Sequence, residues 1–348
     1  MLKSVGPEVV RAGRGAASAR TAAAPFVRRF DAIMAALGTW VMLGVYADAW
    51  TRANAPHTGA FLVFWRALLY AGVLANAAFL GWNWARVRPG RQRWRQGFPP
   101  GYALSGGACL LFLPVWLGNL AWPQPAGGAH GFAGLISPAH IALAAAAGLL
   151  GAGPLRAAWQ GAKVQLSWSG VWSAALVLSA LTYFGQFDNP YIMRWTAGAI
   201  PAGRLPADSA MELGVQGVVL LSLSIMGVAL LLVRRFKIPF FGFSLICAVN
   251  AVFATLIEHL SSMVLVAALG GLLIDILYWL IRPSAWRPAR FHLFGALAPA
   301  PLFALYFGVL NGTGGIPWPA RAWTGAILAA ALGGWLLSLL AVPGSFKR

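Results

Sequence analysis

Residues 212–235 read ELGVQGVVLLSLSIMGVALLLVRR, and this stretch decides the fold class. Between Glu212 and Arg234 it carries 21 residues without a charge. An α-helix needs about 20 apolar residues to cross a hydrocarbon core of about 30 Å. Two arginines follow at once, as is typical of a span that ends on the cytoplasmic side. The stretch therefore predicts a transmembrane helix.

The same character extends over the whole chain. Its 348 residues are 59% hydrophobic and only 10% charged, with a mean hydropathy of +0.70. Soluble domains carry about 25% charged residues, so a soluble protein is excluded. No alternation typical of strands is present, and the sequence predicts an all-α, polytopic transmembrane helical bundle of about ten spans, forming one domain over residues 31–343. The predicted spans are 32–50, 61–82, 102–122, 137–156, 168–187, 212–233, 238–257, 260–281, 291–310 and 321–342.

The two ends of the chain differ from the rest. Residues 1–30 are rich in Arg, Ala and Ser, and Glu8 is their only acid. This composition also fits a transit peptide. We interpret the segment as a disordered basic cytoplasmic tail, because the first apolar run is long enough to span and lacks a clear cleavage site. Residues 344–348 are interpreted as a second cytoplasmic tail.

The formal net charge of +18 indicates orientation rather than nucleic-acid binding. With the amino terminus in the cytoplasm, 21 of the 26 Lys and Arg fall on the inner side, four fall on the outer side, and Arg66 lies within a span. Each inner segment has at least as many basic residues as its outer neighbours, which is the positive-inside pattern. We therefore expect both termini in the cytoplasm, the lipid bilayer as partner and no nucleic acid. The sequence does not indicate a protein partner.

The few histidines and acids gather at the opposite, outer face. Four of the five His and five of the eight acids lie there in this topology. Histidine and carboxylate ligate Zn, Cu and Fe, and they also act as acid–base groups. A site requires several of them to converge from different helices; otherwise they are solvated loop residues and helix caps. The predicted outer-face, metal-binding set is Asp48, His57, His130, His140, Glu258 and His259.

Arg66 lies a few residues inside the second predicted span. An arginine at the centre of a span costs at least about 2.5 kcal/mol, so it usually faces the bundle and pairs. We expect Asp48 or Glu258 as its partner, with snorkelling to the outer interface as the alternative. As a functional group, its guanidinium is suited to an anionic part of a substrate.

Polar residues in the seventh and eighth spans mark a second set. Asn250 and Glu258 share one helical face, which favours either a path for a proton or solute or an interhelical hydrogen bond from Asn250. Asp275 lies near the inner end of the eighth span, on such a path or paired with Arg282.

A multi-pass permease for a small solute is therefore the alternative function. Pro299 and Pro301 make the ninth span the best candidate for the broken helix that transporters use. Whether the protein is an enzyme stays open, and several classes are excluded. No lysine lies within a span to form a retinal Schiff base, no P-loop is present, and Cys109 and Cys247 form no metal or haem motif.

Asp48-Ala49-Trp50, His57, Trp65-Arg66 and Ser137-Pro138-Ala139-His140 carry a loose resemblance to a group of uncharacterised bacterial polytopic membrane proteins. In that group a D-x-W with a nearby His is followed by T-P-x-H and later by S-P-x-H. The resemblance covers roughly the first 160 residues and departs where Arg66 replaces the first of those histidines. It implies a multi-pass protein of the bacterial cytoplasmic (inner) membrane and no particular activity. An outer-loop histidine followed by a polar residue near the start of the next span occurs twice in this region. This similarity predicts a two-helix repeat, 32–82 and 102–156.

Overall fold

The computed structural model describes residues 7–54, 59–86, 98–121, 138–193, 207–258, 262–314 and 316–342. Across these residues the chain forms α-helices and no β-strand. The helices are α1 (Pro7–Asn54), α2 (Gly59–Arg86), α3 (Ala103–Ala121), α4 (Pro138–Gly151), α5 (Gly153–Gln160), α6 (Trp168–Phe184), α7 (Ala207–Arg235), α8 (Gly242–Glu258), α9 (Ser262–Ile281), α10 (Pro288–Leu297), α11 (Pro299–Thr313) and α12 (Ala320–Ala341).

The all-helical prediction is confirmed. Each of the ten predicted spans falls on one helix or on two consecutive helices. By length and composition six helical segments can cross a membrane, and a bent pair, α4 with α5, makes a seventh. The apolar parts of α3, α6 and α8 are shorter, so ten spans stay a prediction. The first helix starts at Pro7, which makes residues 7–26 of the expected tail helical, and its membrane-compatible part begins at Val27.

Helix α6 lies at the centre of the bundle, where it packs against α1, α4 and α8. It is apolar all round and rich in small residues, a composition that lets neighbouring backbones approach closely. Val171, Ala174 and Leu178 are fully buried there. One continuous core extends from this helix through both halves of the chain.

The sharpest bend lies between α4 and α5, not in the ninth span. The two helices meet at 49° around Ala152, and Pro154 starts the second one. Ser173 of α6 satisfies backbone groups on both sides of the bend. Its Oγ donates to the Gly151 carbonyl at 2.5 Å and accepts from the Leu155 N–H at 3.1 Å. In the ninth span, Ala298 keeps right-handed helical angles, so α10 and α11 form one span. The helix is interrupted at Ala298, next to the predicted Pro299, but the span is not divided.

Helix α8 begins inside the protein, and α9 supplies its cap. The first N–H groups of a helix have no partner within the helix. Asp275 of α9 accepts from the backbone N–H groups of Phe243 at 3.0 Å and Ser244 at 2.9 Å, and from the Ser244 hydroxyl at 2.7 Å. Its negative charge also suits the positive end of the helix dipole. One turn later, the Tyr278 hydroxyl accepts from the Ile238 N–H at 3.1 Å.

This capping role predicts the effect of replacing Asp275. In Asp275→Ala the N–H groups of the first turn of α8 lose their acceptor, which costs roughly 0.5–2 kcal/mol for a lost cap. We expect a lower apparent melting temperature of the purified protein in detergent. Asp275→Asn keeps one acceptor oxygen in place and should lose less. Equal melting temperatures for wild type and Asp275→Ala would show that the cap does not stabilise the fold.

Candidate functional site

Only some of the predicted metal ligands lie in the part of the chain that the structure describes. His57, His130 and His259 lie outside the described residues, and of His140 and Glu258 only the position on α4 and α8 is given. Asp48 is described and is 5% exposed near the end of α1. No three His, Cys, Asp or Glu side chains in the described part of the chain come together in a way that could hold a metal ion. The metal site stays a prediction.

Arg66 and Asp48 form the ion pair that the sequence led us to expect. Arg66 Nε donates to Asp48 Oδ1 at 3.2 Å, which joins α2 to α1. The carboxylate side chain is 8% exposed and the arginine side chain 46%, so the arginine reaches outward from a buried acid. The two helices fit closely at this end, since a Cβ on Gly44 would lie 2.7 Å from the Cα of Leu69. The pair neutralises a carboxylate that is poorly solvated.

Asn250 lies at the meeting point of three central helices. Its Nδ2 donates to Thr182 Oγ1 on α6 at 2.6 Å, so the interhelical hydrogen bond expected from the sequence is present. Tyr46 of α1 donates to the Ser179 carbonyl, one turn earlier on α6, at 2.8 Å. Asn250 is 1% exposed, and its Oδ1 is buried without a donor among the described residues. An acceptor of this kind usually binds an ordered water or another small polar molecule.

A small cavity adjoins this cluster on the α7 side of α6. It has a volume of about 30 Å³, which is room for about one water molecule. Thr182 lines it and also accepts the Asn250 hydrogen bond, so cavity and buried amide share one side chain. Its wall is mixed in polarity and consists of Leu181, Thr182, Gly185, Asp188, Asn189, Gly217, Leu220, Leu221 and Ser224.

Asp188 supplies the charged group at this cavity. Its Oδ2 accepts from Gln216 Nε2 on α7 at 3.3 Å. Burial raises the pKa of the Asp188 carboxyl above its usual value. The approach of the two elements requires a glycine at 217, because a Cβ there would lie 1.7 Å from the Asp188 carbonyl oxygen. The cavity is therefore bounded by a backbone contact that leaves no room for a larger residue.

The segment after α6 folds into the bundle. Asn189 and Tyr191 are 4% and 1% exposed, and Asn189 Oδ1 accepts from the Tyr191 N–H at 2.9 Å, forming an Asx turn. Tyr306 of α11 donates to the Pro190 carbonyl at 3.1 Å. Sequence reasoning placed Asp188 at the outer face but missed its buried neighbours. The Asn-Pro pair is a turn signal, yet it does not reveal that the turn is buried.

Asp275, expected on a path or against Arg282, receives its hydrogen bonds from α8, as described above. The Arg282 guanidinium lies instead over the Trp279 ring, 5.9 Å from its centroid. Three donors account for the burial of Asp275, whereas Asn250 Oδ1 still lacks one. Asn250 Oδ1 is thus one of the buried polar atoms with free hydrogen-bonding capacity among the described residues, together with the Tyr191 hydroxyl in the segment after α6.

The Arg66–Asp48 pair predicts a coupling between two substitutions. Arg66→Ala removes the positive charge that faces a buried carboxylate, which should cost about 1–3 kcal/mol. Asp48→Ala removes the charge that needs compensation. We expect Arg66→Ala to lower the apparent melting temperature of the wild type but to change it little in an Asp48→Ala background. Additive effects in this double-mutant cycle would show that the two side chains act independently.

Comparison with known proteins gives no family for this chain. No protein family, no curated protein and no solved structure matches it. The described geometry is therefore the ground for assigning a function. Its main features are a half-buried ion pair at the end of α1, a central asparagine with a free acceptor, and a cavity of about 30 Å³ beside that asparagine.

Proposed function

We propose that this chain is a multi-pass permease that admits a small, uncharged, polar solute between α6, α7 and α8. One observation carries the proposal: the cavity beside Asp188 adjoins the Thr182–Asn250 hydrogen bond, where the Asn250 Oδ1 is buried and unpartnered. Leaving an acceptor unpaired in a protein interior costs about 1–3 kcal/mol. A solute that donates a hydrogen bond there recovers that energy.

The chemistry of the lining favours an uncharged hydrogen-bond donor. Asn189 and Thr182 on the wall, and Asn250, which is hydrogen-bonded to Thr182, are neutral groups that orient a dipole without needing a charge. The only ionisable side chain on the wall is Asp188, whose raised pKa favours the neutral form more than usual. The small cavity fits a solute of about the size of water, and a larger one needs the helices to move apart.

We further propose ten spans with both termini in the cytoplasm of a bacterium, in its inner membrane. The distribution of 21 of the 26 basic residues on one side supports this orientation. Asp48 and Asp188 then lie at the periplasmic face, and the α7–α8 connection lies at the cytoplasmic face. Single cysteines at positions 52 and 237 should label from opposite sides of the membrane, and labelling from the same side would contradict the topology.

A transition-metal site (Zn, Cu or Fe) at the outer face is the second candidate, and helix packing favours it. Helices α1 and α4 run antiparallel, with Gly38 beside Gly151. At 1.5 Å per residue, Asp48 and His140 lie at about the same level along the bundle. On α8, the ring of Phe253 contacts Tyr46 of α1. Glu258 lies little more than one turn after Phe253, so its backbone position is also near the level of Asp48. Three predicted ligands therefore share one end of three packed helices.

The permease proposal predicts a solute flux that depends on Asn250. Purified protein in liposomes should accelerate the entry of water, urea or glycerol, followed by stopped-flow light scattering. Asn250→Leu removes both the acceptor and the bond to Thr182. We expect the rate for the transported solute to fall roughly two- to twelvefold, the equivalent of one hydrogen bond of about 0.5–1.5 kcal/mol.

Asn76→Leu is the matched control for that experiment. Asn76 is also fully buried with an unpartnered Oδ1, but it joins α2 to the Leu37 carbonyl of α1, whereas Asn250 bonds to Thr182 of the cavity wall. This variant should keep the wild-type flux. Flux no faster than in empty liposomes for every solute, or equal loss in both variants, would contradict the proposal.

The metal proposal predicts a bound ion that depends on His140. Elemental analysis of the purified wild type should give a stoichiometric transition metal, and His140→Ala should lose most of it. Asp208→Ala, which removes an exposed acid at the same end of the bundle, should retain the metal. Absence of metal in the wild type, or equal metal in wild type and His140→Ala, would rule this function out.

A further inference from the structure

Three connecting segments meet at the end of the bundle opposite Asp48. Residues 161–167 join α5 to α6, residues 236–241 join α7 to α8, and residues 282–287 join α9 to α10. The first two are tied by backbone hydrogen bonds, from Leu166 N to the Lys237 carbonyl at 3.1 Å and from Lys237 N to the Val164 carbonyl at 2.8 Å. The bond from Ile238 to Tyr278 fixes the second against the last turn of α9, from which the third begins.

These segments and their flanks carry seven cations and no acid. We call the set the basic platform: Lys163, Arg234, Arg235, Lys237, Arg282, Arg287 and Arg290. Within the described part of the chain, none of the seven makes an ion pair. Asp31 interacts with Lys163 at longer range, and its carboxylate already accepts from the Tyr102 hydroxyl. Asp275, the acid of the adjoining helix, is occupied by its role as the cap of α8. The positive charge of the platform is thus not neutralised by an ion pair within the described residues and can attract an anionic partner.

Exposed aromatic side chains lie among these cations. Trp286 is 94% exposed between Arg282 and Arg287, and Phe240 and Phe241 pack edge to face on the neighbouring segment with their rings turned outward. A soluble surface would bury rings of this size, whereas the membrane interface accommodates aromatic and basic side chains together. Their presence favours a lipid surface over a water-soluble acidic partner.

The backbone at the platform is held in an unusual conformation. Phe241 and Arg282 have φ angles of 67° and 49°, and among the described residues they are the only non-glycine residues with positive φ. Such backbone conformations are unfavourable for residues other than glycine and persist where the surroundings fix them. Here the fixing contacts are the Asp275 cap and the Tyr278 hydrogen bond on either side of the α7–α8 connection. The two connections therefore present their side chains from a rigid base.

An apolar track leads from the platform along the membrane. Leu265, Leu269, Ile276 and Leu280 lie on one face of α9 and are all exposed. Trp279 is 61% exposed beside the Arg282 guanidinium. A molecule with an anionic head and long apolar chains fits this order, because its head meets the arginines where the apolar face ends.

We propose that the basic platform binds an anionic phospholipid. The phosphate lies against Arg282 and Arg287, and the acyl chains follow the exposed face of α9. Basic clusters next to membrane spans attract acidic headgroups, by roughly fivefold in affinity for each Lys or Arg. This inference does not depend on the permease proposal, because it rests on the opposite end of the bundle.

The test compares two lipids and two pairs of arginines. Purified full-length protein in a neutral detergent is titrated with phosphatidylglycerol or with phosphatidylcholine, and the apparent melting temperature is recorded. Phosphatidylglycerol should raise it in the wild type and phosphatidylcholine should not. Arg282→Gln/Arg287→Gln should require roughly 25-fold more phosphatidylglycerol for the same shift, from a fivefold loss per charge.

The matched control is Arg28→Gln/Arg29→Gln, which removes two exposed cations from the same end of the bundle on α1. It should respond to phosphatidylglycerol as the wild type does. Equal loss in both double variants would mean a general attraction of the basic end and would overturn the site. An equal shift with inorganic phosphate alone would identify a phosphate site rather than a lipid site, and an unchanged response in Arg282→Gln/Arg287→Gln would also overturn the proposal.

Discussion

Every helix that starts or breaks within the bundle has to find hydrogen-bond partners for its free backbone groups, because lipid offers none. In this protein the partners come from neighbouring helices. Asp275 of α9 accepts from the first turn of α8, and Ser173 of α6 bridges the break between α4 and α5. Tyr306 of α11 donates to the turn after α6. These contacts tie α8 to α9, α6 to the bent pair of α4 and α5, and α11 to the segment after α6.

The need for hydrogen-bond partners inside the bundle also distinguishes polar groups that stabilise the fold from polar groups that can still accept a hydrogen bond. Arg156, a partly buried cation, donates to the carbonyls of Gly101 and Leu149 and to the Ser105 hydroxyl, and so holds the connection before α3 against the bent α5. The fit there is close, since Gly101 has a φ of +90° and a Cβ would lie 2.4 Å from the Ala157 nitrogen. Three of the hydrogen bonds of Arg156 thus stabilise the fold, although its Nη1 is buried without a partner among the described residues. Asn250 differs in its position, because it bonds to Thr182 of the cavity wall and its Oδ1 is free to accept.

The helices and the Arg66–Asp48 ion pair could be predicted from the sequence. Long uncharged runs such as residues 212–233 predict helices because span length and hydropathy are local properties. The Arg66–Asp48 pair was also accessible, since a lone arginine near the end of a span needs a nearby acid. The cap by Asp275 and the cavity at Asp188 were not, because both depend on how neighbouring helices are rotated about their axes. Pro299 predicted a break that the helical angles of Ala298 keep small, whereas Gly151, Gly153 and Pro154 together produced the larger bend.

The uneven charge of the chain bears on which solute the proposed permease would admit. The platform concentrates its cations at one end, so a positively charged solute that crossed the bundle would approach an unfavourable potential. An anion would find a carboxyl group at the cavity and an acceptor, not a donor, at the Asn250 Oδ1. Both signs of charge are disfavoured, each at a different point of the same path. An uncharged hydrogen-bond donor meets neither penalty. The basic platform at one end and the Asp188 cavity towards the other therefore both favour an uncharged solute.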